Sequence, residues 1–186
     1  MQTAVLVPLA QGCEELEAVT VIDLLRRAGI EVVTAGLDEQ PVEGSRGTVL
    51  VPDTTLDQVL GRDFDMVVLP GGLPGSDHLD KDQRLKDMLV RMNGEGKYTA
   101  AICAAPRVLA STGLLDGRRA TSYPGSLDPD TVPGMVYVEE PVVRDGTVVT
   151  SRGPGTAMDF ALELIEVLSG VDARDEVEAG LQRSGK

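Results

Sequence analysis

Residues 3–37, TAVLVPLAQGCEELEAVTVIDLLRRAGIEVVTAGL, decide the fold class. Thr3 to Leu9 is an unbroken apolar run that Gln11-Gly12 stops. A strand covered on both faces is apolar throughout rather than alternating, so this run predicts a buried parallel strand. Glu14-Glu15-Leu16-Glu17 then opens a helix, because carboxylates in a first turn complement its unpaired N–H groups. Val19, Ile22, Leu24 and Leu25 supply its apolar face, and Ala28-Gly29 ends it. Ile30 to Ala35 is a second strand. Strand, helix and strand in this order form a crossover unit.

The same alternation continues outward. Gly36 to Asp63 is less regular: Thr48-Val49-Leu50-Val51 is strand-like and is stopped by Pro52. Thr54 to Leu60 predicts a short helix capped by Thr54 or Thr55. Asp65 to Leu69 is a buried strand that ends in Pro70-Gly71-Gly72. Gln83 to Met92 is helical, Tyr98 to Ile102 is a strand, and Pro106 to Ala110 is a helix closed by Gly113. Residues 120–150 hold short strands, with Asp145-Gly146 at the centre of a hairpin turn. Thr156 caps the last long helix, Gly170 ends it, and Val171 to Lys186 is partly helical at best. No repeat, low-complexity segment or linker interrupts the chain. The expectation is one α/β domain over 1–186 with a mostly parallel central sheet.

Composition narrows the function. Hydrophobic residues at 42% make the chain globular, and 3% aromatics without Trp leave the core to Val, Leu, Ile, Ala and Met. A net charge of −13 offers no cationic stripe to a phosphate backbone, which argues against nucleic-acid binding. Lysine occurs only at Lys81, Lys86, Lys97 and Lys186, which fits salt adaptation or plain solubility. Cys13 and Cys103 make no disulfide framework. With no signal peptide and no apolar run of membrane length, the chain reads as soluble and cytoplasmic with reduced thiols.

Ligands of open α/β sheets bind beyond the carboxyl ends of the strands. Gly12 to Glu17, Pro70-Gly71-Gly72 and Cys103-Ala104 should therefore meet. Cys103 sits where a strand gives way to an alanine-rich helix. A thiol facing a helix N-terminus is expected to have a lowered pKa and to react as thiolate, although free cysteine is also a common buried hydrophobe. From position alone Glu17 is a solvated first-turn charge or a proton-transfer group for that thiol. Gly71-Gly72 lets the backbone approach closely, and its amide could join that of Ala104 in an oxyanion hole; an ordinary strand-end turn is the alternative. Cys13 reads as a spectator or a redox partner of Cys103. His78 reads as a surface-loop residue. One His and two separated Cys make a structural zinc site improbable, and no metal or cofactor is expected.

Gly12 to Val19, Leu69-Pro70-Gly71-Gly72, Ala101 to Pro106 and Thr150 to Thr156, with Leu24 to Gly29 and Ser45-Arg46-Gly47, together resemble the DJ-1 branch of the DJ-1/ThiJ/PfpI superfamily. The resemblance runs essentially end to end. It implies a flavodoxin-like three-layer sandwich and a homodimer, with Arg27, Arg46 and the first helix at the interface. It makes Cys103 the reactive cysteine on a nucleophile elbow, Glu17 the carboxyl group that hydrogen-bonds its sulfur, and Gly72 and Ala104 the amide donors. It also implies glutathione-independent glyoxalase activity on methylglyoxal, a deglycase activity, chaperone-like behaviour and an oxidative-stress role through a cysteine sulfinic acid. Many relatives carry a His at the position of Tyr123; an unperturbed phenol pKa of about 10 makes tyrosine a poor base near neutrality.

The expected chemistry is addition of the Cys103 thiolate to a small reactive carbonyl, with proton transfer by Glu17 and no external cofactor. A non-enzymatic redox sensor or chaperone is the alternative, and a cysteine peptidase a third.

Overall fold

The computed structural model describes residues 3–183. Its elements are, in order, β1 (Ala4–Leu9), α1 (Glu15–Arg27), β2 (Glu31–Gly36), β3 (Val42–Glu43), β4 (Val49–Leu50), β5 (Thr54–Thr55), α2 (Leu56–Val59), β6 (Met66–Leu69), α3 (Gly75–Lys81), α4 (Gln83–Gly94), β7 (Tyr98–Ile102), α5 (Pro106–Ser111), β8 (Arg119–Ala120), β9 (Val136–Tyr137), β10 (Val142–Asp145), β11 (Val148–Ser151), α6 (Ala157–Ser169) and α7 (Val171–Gly180). Seven strands form one sheet in the order β10-β11-β7-β6-β1-β2-β5. Only β10 runs antiparallel to its neighbour; the remaining pairs are parallel.

The apolar runs are continuous because the sheet is covered on both sides, and the pleat sends alternate residues to opposite layers. Leu6, Val67, Leu69 and Ala101 face the layer built by α2 to α5. Val5, Val7, Met66, Val68 and Ile102 face α1, α6 and α7, where Phe160 and Leu25 are fully buried. This is the expected three-layer α/β sandwich.

Strand order reverses at β1, which has β2 on one side and β6 on the other. Chain leaving β1 and chain leaving β6 diverge to opposite halves of the sheet, so a crevice opens at their carboxyl ends. Cys103 leaves β7, the next strand along.

Several local expectations change. Thr54–Thr55 is an edge strand beside β2, and α2 is a single turn whose flanking Thr55 makes no side-chain cap. His78 is not in a loop: Gly75–Lys81 is helical, held partly by Leu79 in the core. The polar sequence Gly75-Ser76-Asp77-His78 has too little apolar periodicity to announce that helix. Thr156 makes no side-chain cap on α6; its hydroxyl is engaged by Gly153 N–H and Ser151 Oγ instead. The hairpin pairs Asp145 with Val148, so its loop is Gly146-Thr147, one residue beyond the expected centre. The segment after Gly170 is partly helical, as expected, over Val171–Gly180, anchored by buried Val177 and by Arg174 paired to Glu166. Residues 184–186 of that tail lie outside the described residues.

Candidate active site

Three strand-end loops are stitched together by backbone hydrogen bonds. Glu14 N–H donates to the Gly71 carbonyl at 2.9 Å, and Gly75 N–H to the Gly12 carbonyl at 3.3 Å. The loop after β1 and the loop after β6 are thus one wall. Cys103 N–H donates to the Ser151 carbonyl at 3.0 Å, and Tyr123 N–H donates to the Cys103 carbonyl at 2.8 Å. These two bonds hold Cys103 at φ 64, a left-handed conformation that a non-glycine residue adopts at a cost. Cys103 is half-buried.

Glu17 comes to this thiol from the first turn of α1. It is fully buried, and Gly71 N–H donates to its Oε2 at 2.8 Å. It is therefore not a solvated first-turn charge; it lies buried at the thiol. Burial pushes the carboxyl up to about 7, against the opposing effects of Gly71 N–H and the Cys103 thiol. The thiol lies against the carboxyl, yet Oε1 completes no hydrogen bond of ordinary geometry. One carboxylate oxygen is tethered, and the other is free for the sulfur or for whatever joins it.

The thiol itself departs from expectation. Burial, then the charge of Glu17, pushes Cys103 up to about 12, while the Gly72 and Ala104 amides act in the opposite sense. The helix that follows is only Pro106–Ser111, too short to supply the lowering expected from its terminus. The titrations of thiol and carboxyl are coupled. While Glu17 is charged the sulfur keeps its proton; when Glu17 is protonated that repulsion is gone and the two amides remain.

Gly71 is the joint between the two groups. A Cβ there would lie 2.5 Å from Cys103 Cβ and 2.6 Å from Glu17 Oε2. Gly72 has φ 88, and a Cβ on it would lie 2.3 Å from the Glu14 nitrogen. Only glycine fits either position, because the site's own loops and side chains fill the space a Cβ would need.

The other candidates separate. Cys13 is fully buried, packs in the core under α1, and burial raises its pKa to about 11. It is a core thiol. His78, on α3, has its Nδ1 3.0 Å from the Gln11 carbonyl oxygen. Tyr123 is at the site through its backbone, with a half-exposed ring. Arg27 pairs with Asp23 on the surface of α1, and Arg46 is exposed in a turn whose backbone Glu15 grips. Ser151, whose carbonyl accepts from Cys103 N–H, is a further residue at this thiol; the small-residue loop beginning there is its only signal in the sequence. Among the described residues no group of three or more His, Cys, Asp or Glu is arranged to hold a metal ion. A groove of about 730 Å³ lies elsewhere, lined by α6, α7 and the residues just after α7, where Arg174 and Arg183 are ion-paired. No described helix is long and apolar enough to cross a membrane.

A cysteine on a left-handed strand-to-helix elbow, with a buried carboxyl reaching it from the helix after β1, defines a class of α/β sandwiches. Within that class the chain belongs to the DJ-1/PfpI family, whose model matches residues 3–167. It is 47% identical over 183 residues to protein dj-1beta of Drosophila melanogaster, covering 97% of each chain. The crystal structure of that Drosophila protein superposes with a TM-score of 0.94 at 46% identity over the whole of both chains. Oxidised DJ-1 of Toxoplasma gondii gives a TM-score of 0.91 at 38% identity, covering 98% of this chain and 100% of that one. A Caenorhabditis elegans relative named glutathione-independent glyoxalase DJR-1.2 is 36% identical over 160 residues, covering 86% of this chain and 85% of its own.

Proposed function

We propose that this protein is a cysteine-dependent, cofactor-independent glyoxalase or deglycase that acts on methylglyoxal or its adducts in carbonyl and oxidative stress in the cytoplasm. The observation that carries the proposal is the buried Glu17 carboxyl, tethered through Oε2 by Gly71, with a pKa of about 7 beside a half-exposed thiol. A group that titrates near neutrality can both take and return a proton.

The thiol adds to the aldehyde carbon of methylglyoxal as its proton passes to Glu17. The resulting hemithioacetal alkoxide faces the amides of Gly72 and Ala104 and takes the thiol proton from Glu17, which is left ionised. Glu17 removes the proton on the aldehyde-derived carbon and returns one to the neighbouring ketone-derived carbon. The first carbon is thereby oxidised to a thioester and the second reduced to an alcohol, so the redox change is internal. Water then cleaves the thioester, releasing lactate and restoring the thiol. A deglycase would start from the adduct of the same aldehyde with an amine or thiol.

A second reading is a redox sensor with chaperone activity. Cys103 would react with two equivalents of peroxide to give a sulfinic acid and two waters. Its support is the unpartnered Oε1, which on a protonated Glu17 can donate to a sulfinate oxygen, together with the existence of an oxidised relative.

We also propose a homodimer built on α1. Leu16, Val19, Val49 and Val51 are exposed, and Val19, Ile22, Leu50 and Val51 line one groove of about 330 Å³. Arg27, exposed on α1, and Arg46, exposed in the turn before β4, would join this interface.

Conversion of methylglyoxal to lactate by wild type and Cys103→Ser, with and without prior peroxide, tests the assignment. Turnover lost in the variant and in the oxidised enzyme supports the glyoxalase. Full activity in Cys103→Ser sinks it, and negligible wild-type turnover with a gain of two oxygens confined to Cys103 favours the sensor.

A further inference from the structure

The inner walls of the site are closed. The space a Cβ would need at Gly71 is taken by Cys103, by Glu17 and by the Ile102 carbonyl oxygen, the last at 2.8 Å. At Gly72 it is taken by the loop that carries Glu14. A carbonyl carbon bonded to the Cys103 sulfur keeps its oxygen and its exchangeable protons on this inner, polar side. Its substituent has to leave toward solvent.

Two large, exposed apolar residues are tied by backbone to the groups that hold the thiol. Leu73 directly follows Gly72, whose amide faces the sulfur, and is 54% exposed. Tyr123 is 50% exposed and is tied by its own N–H to the Cys103 carbonyl. Its ring rests on Gly153, where a Cβ would approach Cδ2 to 3.2 Å. Among the described residues its hydroxyl makes no hydrogen bond, so packing and backbone, not the phenol, hold the ring in place. Single exposed apolar residues are common on protein surfaces. These two differ in being fixed, by one peptide bond and one hydrogen bond, to the groups that hold the thiol.

We propose that Leu73 and Tyr123 form an apolar rim that selects the substituent of the carbonyl substrate, favouring 2-oxoaldehydes that carry an aromatic or apolar group over glyoxal. The inference rests on the glyoxalase reading and adds substrate selectivity to it. The chemistry at sulfur is unchanged; phenylglyoxal and water would give mandelate as methylglyoxal and water give lactate. What the rim adds is an aromatic face for offset stacking and apolar area removed from water when the substituent lies between Tyr123 and Leu73. Tyr123 acts here through its face, so phenylalanine should replace it.

The test compares kcat/KM for phenylglyoxal and for glyoxal in wild type, Tyr123→Ala, Tyr123→Phe and Leu73→Ser. Wild type should prefer phenylglyoxal. The preference should fall about tenfold in Tyr123→Ala and Leu73→Ser and persist in Tyr123→Phe. A ratio that is the same in all four proteins overturns the rim, and so does a Tyr123→Phe variant that loses the preference as the alanine variant does. If wild type converts neither aldehyde, the glyoxalase reading has failed. The rim is then decided by the concentration of each aldehyde that protects Cys103 from iodoacetamide, read by peptide mass. Protection by phenylglyoxal at lower concentration, dependent on Tyr123 and Leu73, supports it; equal protection by both aldehydes overturns it.

Discussion

Gly71 N–H donates to Glu17 Oε2 at 2.8 Å, and this bond turns a helix-borne carboxyl toward a cysteine 86 residues further along the chain. Gly71→Ala puts a methyl group into space held by Cys103 Cβ, Glu17 Oε2 and the Ile102 carbonyl. Backbone and nucleophile have to shift together, and a displacement near 1 Å costs about 100-fold in rate. Steady-state kinetics should show that loss, with a destabilisation of about 1–3 kcal/mol from overpacking seen in denaturant melts.

Glu17→Gln removes the charge that opposes ionisation of Cys103. After burial, that charge is the largest cause raising the thiol, so the Cys103 pKa should fall below its value of about 12 in the wild type. Thiolate absorbance near the far-ultraviolet edge, titrated against Cys103→Ser, reads this directly. Proton transfer is lost at the same time, so turnover should drop by about 100-fold or more although the thiolate is more abundant. A variant with unchanged turnover would remove Glu17 from the chemistry.

Stability should fall as pH rises toward neutrality at this residue. Burial lifts the Glu17 carboxyl to about 7 in the folded protein, from the ordinary 4.5 that it regains on unfolding. Between these values the folded state binds more protons than the unfolded state, so unfolding becomes easier as pH increases. The contribution is fully present below 4.5 and lost through 7, on the order of 3 kcal/mol for a shift of this size. Urea melts of wild type and Glu17→Gln at pH 4.5, 6 and 8 should diverge, with the wild type alone losing this component.

Glu15 grips the turn that presents the proposed dimer face. Its carboxylate accepts from Arg46 N–H at 2.9 Å, from Thr48 N–H at 3.3 Å and from Ser45 Oγ at 3.3 Å. Burial works against its ionised form, but these donors outweigh it and hold the carboxyl below its usual range. Glu15→Ala should cost about 1–3 kcal/mol. It should also weaken the dimer, because Val49 and Val51 follow that turn.

Val51→Glu tests the same face without disturbing the turn, since Val51 is 79% exposed in the single chain. Light scattering should find a wild-type dimer and a folded Val51→Glu monomer. A wild type that stays monomeric, or a variant that dimerises equally well, would move the interface elsewhere.

Much of the fold was legible in the chain. The runs at Ala4–Leu9, Met66–Leu69 and Tyr98–Ile102 are apolar on both faces, which requires cover on both sides of the sheet. One helix escaped. Gly75–Lys81 is polar apart from Leu79, which enters the core, so it is helical through packing and not through a pattern of its own.

By itself, the sequence determined the crossover unit of residues 3–37 and the convergence of three strand-end loops, because periodicity and strand direction are local properties. Only the tertiary structure decided the electrostatics. Glu15 and Glu17 share the first turn of one helix, yet Glu15 is held charged by turn amides and Glu17 is driven toward its neutral form by burial. The same holds for Cys103, whose ionisation is opposed by burial and Glu17 rather than helped by the short helix that follows it. Desolvation depends on what packs around a group from the rest of the chain, and no spacing of residues along the sequence states that.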